Sequence, residues 1–188
     1  IIAERAEIKK SQKQAKKAIK IKAFMNADKY KYLLIKPTNY AKFDYIIGID
    51  TGLNTGIAVY CNFLKCYTKI ETVQIHQAIM LVANYAKHIS PNILVRIEDA
   101  RLRTWYGNKG NEVAQGVGSI KRDAVIWQNF LEDFGIYYEL VAPKENRTKL
   151  SEKEFISITG VDMKESKGGK SSKGQHARDA AMLIYNLS

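Results

Sequence analysis

The chain has 188 residues, and 30 Lys/Arg against 19 Asp/Glu give it a formal net charge of +11. Such a length suits one α/β domain with a proper core plus an appendage, and the positive excess favours a polyanionic partner. No run of ~18 apolar residues and no signal-peptide pattern occurs, so neither membrane insertion nor secretion is expected. Cys61 and Cys66 are the only cysteines and neither lies near a His at zinc-finger spacing, which points to a reducing, cytoplasmic setting with incidental thiols.

The charge is unevenly spread. Residues 1–40 hold eleven Lys/Arg and three Asp/Glu, net +8, whereas residues 41–188 hold nineteen and sixteen, net +3. Within the first part, Glu7 to Lys22 is rich in helix formers, with Ile8, Ala15, Ile19 and Ala23 along one face. The expectation is a basic, helical extension that adds sequence-independent affinity for nucleic acid. A solvated terminus or a helix pairing with another subunit is the alternative for such a run. Past Pro37 the composition changes, which sets the boundary near residues 39–42, between a 1–40 extension and a 41–188 domain.

Tyr45 to Tyr60 reads as a strand ending in Asp50, a tight turn and a returning strand; Gly52 and Gly56 suit a turn needing positive φ or close backbone approach. Phe63 to Ile70 alternates with period near two and predicts a third, antiparallel strand. Ile75, Ala78, Ile79, Val82, Tyr85, Ala86 and Ile89 recur at helical spacing until Ser90-Pro91-Asn92 stops them. Ile93 to Asp99 is a short apolar strand that again ends in acid. A longer helix spans at least Ile120 to Phe134, with Ala124, Trp127, Leu131 and Phe134 on one face and Gly135 as its stop. Ile136 to Ala142 predicts the fifth strand, closed by Pro143. A short helix near Ser151–Thr159, a Lys/Gly/Ser stretch and a final helix from about Gln175 complete the chain.

The order β-β-β-α-β-α-β-α predicts an α/β fold, in which an antiparallel meander followed by right-handed crossovers makes a five-stranded mixed sheet with helices on both faces. Strands one and four then lie side by side and parallel. Asp50 and Glu98 emerge at the same sheet edge, where open α/β sheets bind ligands. On the last helix Ala177, Ala180, Ala181, Leu183, Ile184 and Leu187 share a face, with His176 and Asp179 together on its flank. The small alanines let that helix press close to the sheet. Carboxylates gathered there repel unless a cation joins them, and Mg²⁺ or Mn²⁺ prefers such oxygen donors. Two ions ~3.5–4 Å apart, bridged by one acid, serve phosphodiester hydrolysis; Asp50, central in the sheet, is the natural bridge.

The run Gly48 to Gly56, the strand ending Ile97-Glu98-Asp99 and the late His176-x-x-Asp179-Ala180 resemble, in that order, the three acidic motifs of RuvC-type nucleases of the RNase H-like superfamily. The chain is most similar to the phage branch of RuvC-like Holliday junction resolvases, over about residues 45–187. That resemblance implies an RNase H-like fold and a two-metal endonuclease, a homodimer nicking opposing strands of a four-way junction; a phage-encoded protein would work in the host cytoplasm. Carried over by motif position, Asp50, Glu98 and Asp179 bind metal, and His176 replaces the acid that many relatives have there, as a ligand or a proton carrier.

Two rival motifs fail on the residues. An actin-like ATPase needs a second domain and a second Asp-x-Gly loop, and the Gly169-Lys170-Ser171 triplet lacks both the earlier Gly of a P-loop, which is Lys164 here, and a preceding strand. A ribonuclease H acting on hybrids, a broader branched-DNA or flap nuclease, and a non-catalytic nucleic-acid-binding module remain as alternatives. Substrate contacts are expected from basic and aromatic loops. Arg101 and Arg103 precede Trp105 and Tyr106 in a glycine-flanked loop able to grip phosphates and stack on an unpaired base. Lys121 and Arg122 open the long helix, Lys144, Arg147 and Lys149 follow the fifth strand, and Lys170 and Lys173 lie in the Lys/Gly/Ser stretch.

Overall fold

The computed structural model describes residues 33–102, 111–146, 149–162 and 174–187, without the side chains of 111–117 and 120. Five strands, β1 (Tyr45–Asp50), β2 (Asn54–Cys61), β3 (Cys66–Gln74), β4 (Ile93–Glu98) and β5 (Tyr137–Val141), form one sheet in the order β3-β2-β1-β4-β5. The β1–β2 and β2–β3 pairs are antiparallel, and β1–β4 and β4–β5 are parallel. This is the five-stranded mixed sheet that the element order predicts. The helices are α1 (Ile75–Asn84), α2 (Asn111–Phe134), α3 (Glu152–Thr159) and α4 (Gln175–Leu183). Among the described residues no helix is long and apolar enough to cross a membrane.

Strand alternation sorts the core into two layers. Ile47, Ile49, Ile57, Val59, Val95 and Ile97 face α1 and α2, where Ala78, Val82, Trp127 and Leu131 are buried. Ile46, Ala58 and Leu94 face the other way, onto Phe155 of α3 and Ala177, Ala180 and Ala181 of α4. Asp50 and Glu98 have the parity of Ile46 and Leu94. Both acids therefore belong to the α4 layer, while Asp99, one residue on, belongs to the α2 layer.

Two element boundaries differ from the expected ones, and a third, given only as a minimum, extends further. The third strand begins at Cys66 and not at Phe63, because residues 62–65 make the turn back from β2: Phe63 is 90% exposed and Lys65 sits at φ 54, in the left-handed region. The strand then runs on to Gln74, which pairs with Asn54. The helix from Ile75 is α-helical only to Asn84 and continues as a π-turn over Tyr85–Ile89, closed by the Ser90 amide donating to the Tyr85 carbonyl at 2.9 Å. The long helix begins at Asn111, ahead of Ile120.

The chain meets the sheet before its composition changes. Leu34 forms a parallel bridge with Tyr138, the Tyr138 amide donates to the Leu33 carbonyl and the Ile35 amide to the Tyr138 carbonyl, and Leu33 is buried in the α2 layer. On the α4 layer, Arg96 is clamped by Glu139 (2.8 Å, side chains 12% and 7% exposed) and by the Leu183 carbonyl, with Tyr40 also donating to Glu139. Losing Arg96 alone would leave a nearly buried carboxylate unpaired, a cost of about 3–5 kcal/mol.

Candidate active site

Parallel pairing of β1 and β4 sets Asp50 directly beside Glu98, both at the carboxyl ends of their strands. The turn after Asp50 is held by local polar bonds: Thr55 Oγ1 donates to the Gly52 carbonyl at 2.6 Å, Gln74 Nε2 to Asn54 Oδ1 at 2.9 Å, and the Ile75 amide to the Leu53 carbonyl at 3.1 Å. Thr51 turns inward, and its hydroxyl donates to the Glu98 carbonyl at 3.2 Å, tying the two acid-bearing strands together.

The other two candidate residues arrive on α4, which lies directly on the sheet. A Cβ built on Gly48 would land on the Ala180 carbonyl, and one on Gly56 on the His176 carbonyl, with Ala177 N at 3.0 Å. Gly56 lies within β2, opposite Asp50, and neither it nor Gly52 has a positive φ. Of the two uses expected of these glycines, positive φ or close backbone approach, positive φ is found at neither. Gly56 serves the close backbone approach, and at Gly52 an added Cβ meets nothing nearer than the Asn54 carbonyl at 3.6 Å.

With α4 so close, His176 Nδ1 reaches Asp50 Oδ2 at 2.7 Å. Against an ionised carboxylate, which only accepts, Nδ1 carries the proton. The hydrogen bond to Asp50 pushes the His176 pKa up, against the effect of burial and with help from the charges of Asp50 and Asp179. Asp179 is 6% exposed, and its pKa is raised by burial and by the Asp50 charge, against the Lys149 amide that donates to its Oδ1 at 2.8 Å and the charges of His176 and Arg178. Glu98 Oε2 accepts from Asn146 Nδ2 at 2.8 Å.

Because the folded-state pKa of His176 is raised, protonation favours the fold. Its contribution to stability is complete below the ordinary histidine value near 6.5 and is lost as pH rises through the higher folded value. A pH titration of the His176 ring by NMR is expected to show a midpoint above that value, falling back toward it in Asp50→Asn.

The four ligand candidates thus come to one edge, each carboxylate already engaged by a neighbour. Among the described residues no three His, Cys, Asp or Glu side chains are gathered into a group that could hold a metal ion as they stand. The donor chemistry fits a hard divalent cation: three carboxylates and one imidazole, on the layer where strand ends and α4 meet. Engaging one requires Asp50 to turn from His176, or to share its second oxygen.

The expected nucleic-acid contacts divide three ways. Arg103, Trp105, Tyr106, Arg147, Lys170 and Lys173 lie outside the described residues. Arg101 is engaged internally, its Nε at 2.8–2.9 Å from both Asp99 carboxylate oxygens and its Nη2 on Gln128 at 2.9 Å, as the α2-side parity of Asp99 requires. Arg122, Lys144 and Lys149 are exposed, and Lys121 is half-buried. Sequence reasoning missed Thr51 and Asn146. The available signal was the sheet order: Val141 pairs beside Glu98, so the loop leaving β5 starts next to that acid.

No protein-family model matches the chain, and no curated protein matches it. Among solved structures that do match is RuvC of T. thermophilus in complex with a Holliday junction substrate, at 17% sequence identity and a TM-score of 0.46, covering 74% of this chain and 90% of that one.

Proposed function

We propose that the chain is a divalent-metal-dependent, structure-selective DNA endonuclease that acts on branched DNA, four-way junctions above all. The observation that carries this reading is the meeting of Asp50 and Glu98, register partners at the ends of parallel strands, with His176 and Asp179 of the helix pressed against them. Asp50, Glu98, Asp179 and His176 would hold Mg²⁺ or Mn²⁺, two ions per site in our reading. Bound there, the metal supplies Lewis-acid stabilisation of the phosphate and a water of lowered pKa. His176 keeps a proton on Nδ1 toward Asp50 and is 46% exposed, so its one remaining ring nitrogen serves either as a metal ligand or as a proton carrier to the reacting phosphate, not as both. Among the described residues, the hydroxyls of Thr51 and Thr55 in the turn after Asp50 are spent on backbone carbonyls. This favours direct attack by water over a covalent intermediate.

A homodimer would present two such edges to the two opposed strands of a junction. Residues 1–32, outside the described part, would add electrostatic affinity. Their deletion is expected to weaken junction binding and to flatten the plot of log affinity against log salt, by a slope of about 0.9 for each phosphate that is no longer neutralised. An unchanged slope would remove that role.

The reading is tested by offering the full chain a four-way junction, a linear duplex, a flap and an RNA–DNA hybrid in Mg²⁺. Paired nicks in the junction are expected. Preference for the hybrid would make the protein a ribonuclease H, and binding without any cutting would make it a structural module.

A further inference from the structure

We infer that Asn146 is a positioning residue of this site: its side-chain amide ties the Glu98 carboxylate to the α4 backbone at Asp179, holding two acids from different elements at one spacing. Asn146 Nδ2 donates to Glu98 Oε2 at 2.8 Å and to the Asp179 carbonyl at 3.2 Å. Both neighbours only accept, so the amide can face them in one orientation. The inference rests on the nuclease reading above, since Glu98 and Asp179 are ligands only there.

Two further observations separate Asn146 from an ordinary loop residue. Its Oδ1 is buried and has no hydrogen-bond partner among the described residues. An orphaned buried carbonyl costs about 1–3 kcal/mol, so the amide is held in this orientation by what its Nδ2 gains from Glu98 and Asp179. The loop carrying Asn146 is also stitched to α4 at two more points, by the Lys149 amide on Asp179 Oδ1 at 2.8 Å and by Arg178 Nε on the Leu150 carbonyl at 2.9 Å. Lys149 itself adopts φ 63, in the left-handed region that a lysine seldom occupies. The Lys149 amide holds the helix-borne acid, and Asn146 extends the same hold to the strand-borne one.

The test is calorimetric titration of Mn²⁺ into the full chain without DNA, for the wild type, Asn146→Ala and Asn146→Leu. Removing a partner that orients a metal ligand lowers metal affinity about 10–100-fold. Both variants are expected to show that loss while binding the junction in EDTA as the wild type does. Full recovery of Mn²⁺ affinity by Asn146→Leu would mean that the residue only fills space, and would overturn the inference, as would affinities within twofold of the wild type in both variants. Should neither variant fold, the side-chain amide resonances of Asn146 in the wild type decide: they are expected to shift on adding Mg²⁺, and their constancy overturns the inference. A wild type that binds no Mn²⁺ defeats the nuclease reading itself, whereas equal binding by wild type and variants defeats the role of Asn146 alone.

Discussion

Asp50→Asn is expected to reduce junction cutting by at least a hundredfold, while leaving the fold in place. Asp50 stands between β2 and β4, opposite Gly56 on one side and Glu98 on the other, and its carboxylate is hydrogen-bonded to His176. Metal-assisted stabilisation of a phosphodiester transition state is worth several kcal/mol, and each 1.36 kcal/mol is tenfold in rate. An amide oxygen still accepts from His176 Nδ1, so the local geometry survives. The charge does not. Its loss lowers the pKa of His176 and also that of Asp179, which the Asp50 charge helps to raise. Cutting rates measured beside a thermal melt check this result, and a variant that cuts junctions as fast as the wild type would sink the mechanism.

Gly56→Ala is expected to lower the melting temperature sharply, and Gly52→Ala hardly at all. At Gly56 the new Cβ would overlap the His176 carbonyl group, which is helix backbone and cannot rotate aside, so α4 has to lift from the sheet. Overpacking of this kind costs about 3 kcal/mol at the upper end of the usual range, or roughly 6–12 °C for a domain of this size. Activity falls further than stability, because His176 and Asp179 ride on the helix that moves. At Gly52 the nearest atom is 3.6 Å away and the φ is not positive, so the change stays within about 0.5 kcal/mol. Melting curves of the two variants compare these cases directly. Equal tolerance of both would mean that α4 does not depend on the glycine.

Much of the site was legible because strands and helices write their faces into the chain at fixed periods. Ile46 to Asp50 and Ile93 to Glu98 are apolar runs ending in acid, and the crossover between them implies parallel neighbours, which the observed register confirms. Ala177, Ala180 and Ala181 marked the buried face of α4 correctly. What failed to read out depended on contacts between distant segments. Gly56 looked like a turn residue because its helix partner lies more than a hundred positions away. The Asp99 partner of Arg101 did not read out because nothing local shows that Asp99 turns to the α2 layer and bonds it. Asn146 carried no periodic signal at all.

The identities of the acids, the order of the elements and the two alternating strand faces were determined by the sequence alone, since each follows from backbone periodicity and chain connectivity. Which side chain holds which acid was decided only by tertiary packing. Two glycines bring α4 onto β1 and β2, and that approach sets His176 against Asp50; the loop leaving β5 then places Asn146 on Glu98 and the Lys149 amide on Asp179. Hydrogen bonds of this kind require separations near 3 Å, a precision that spacing along a chain does not encode and close-packed backbones do.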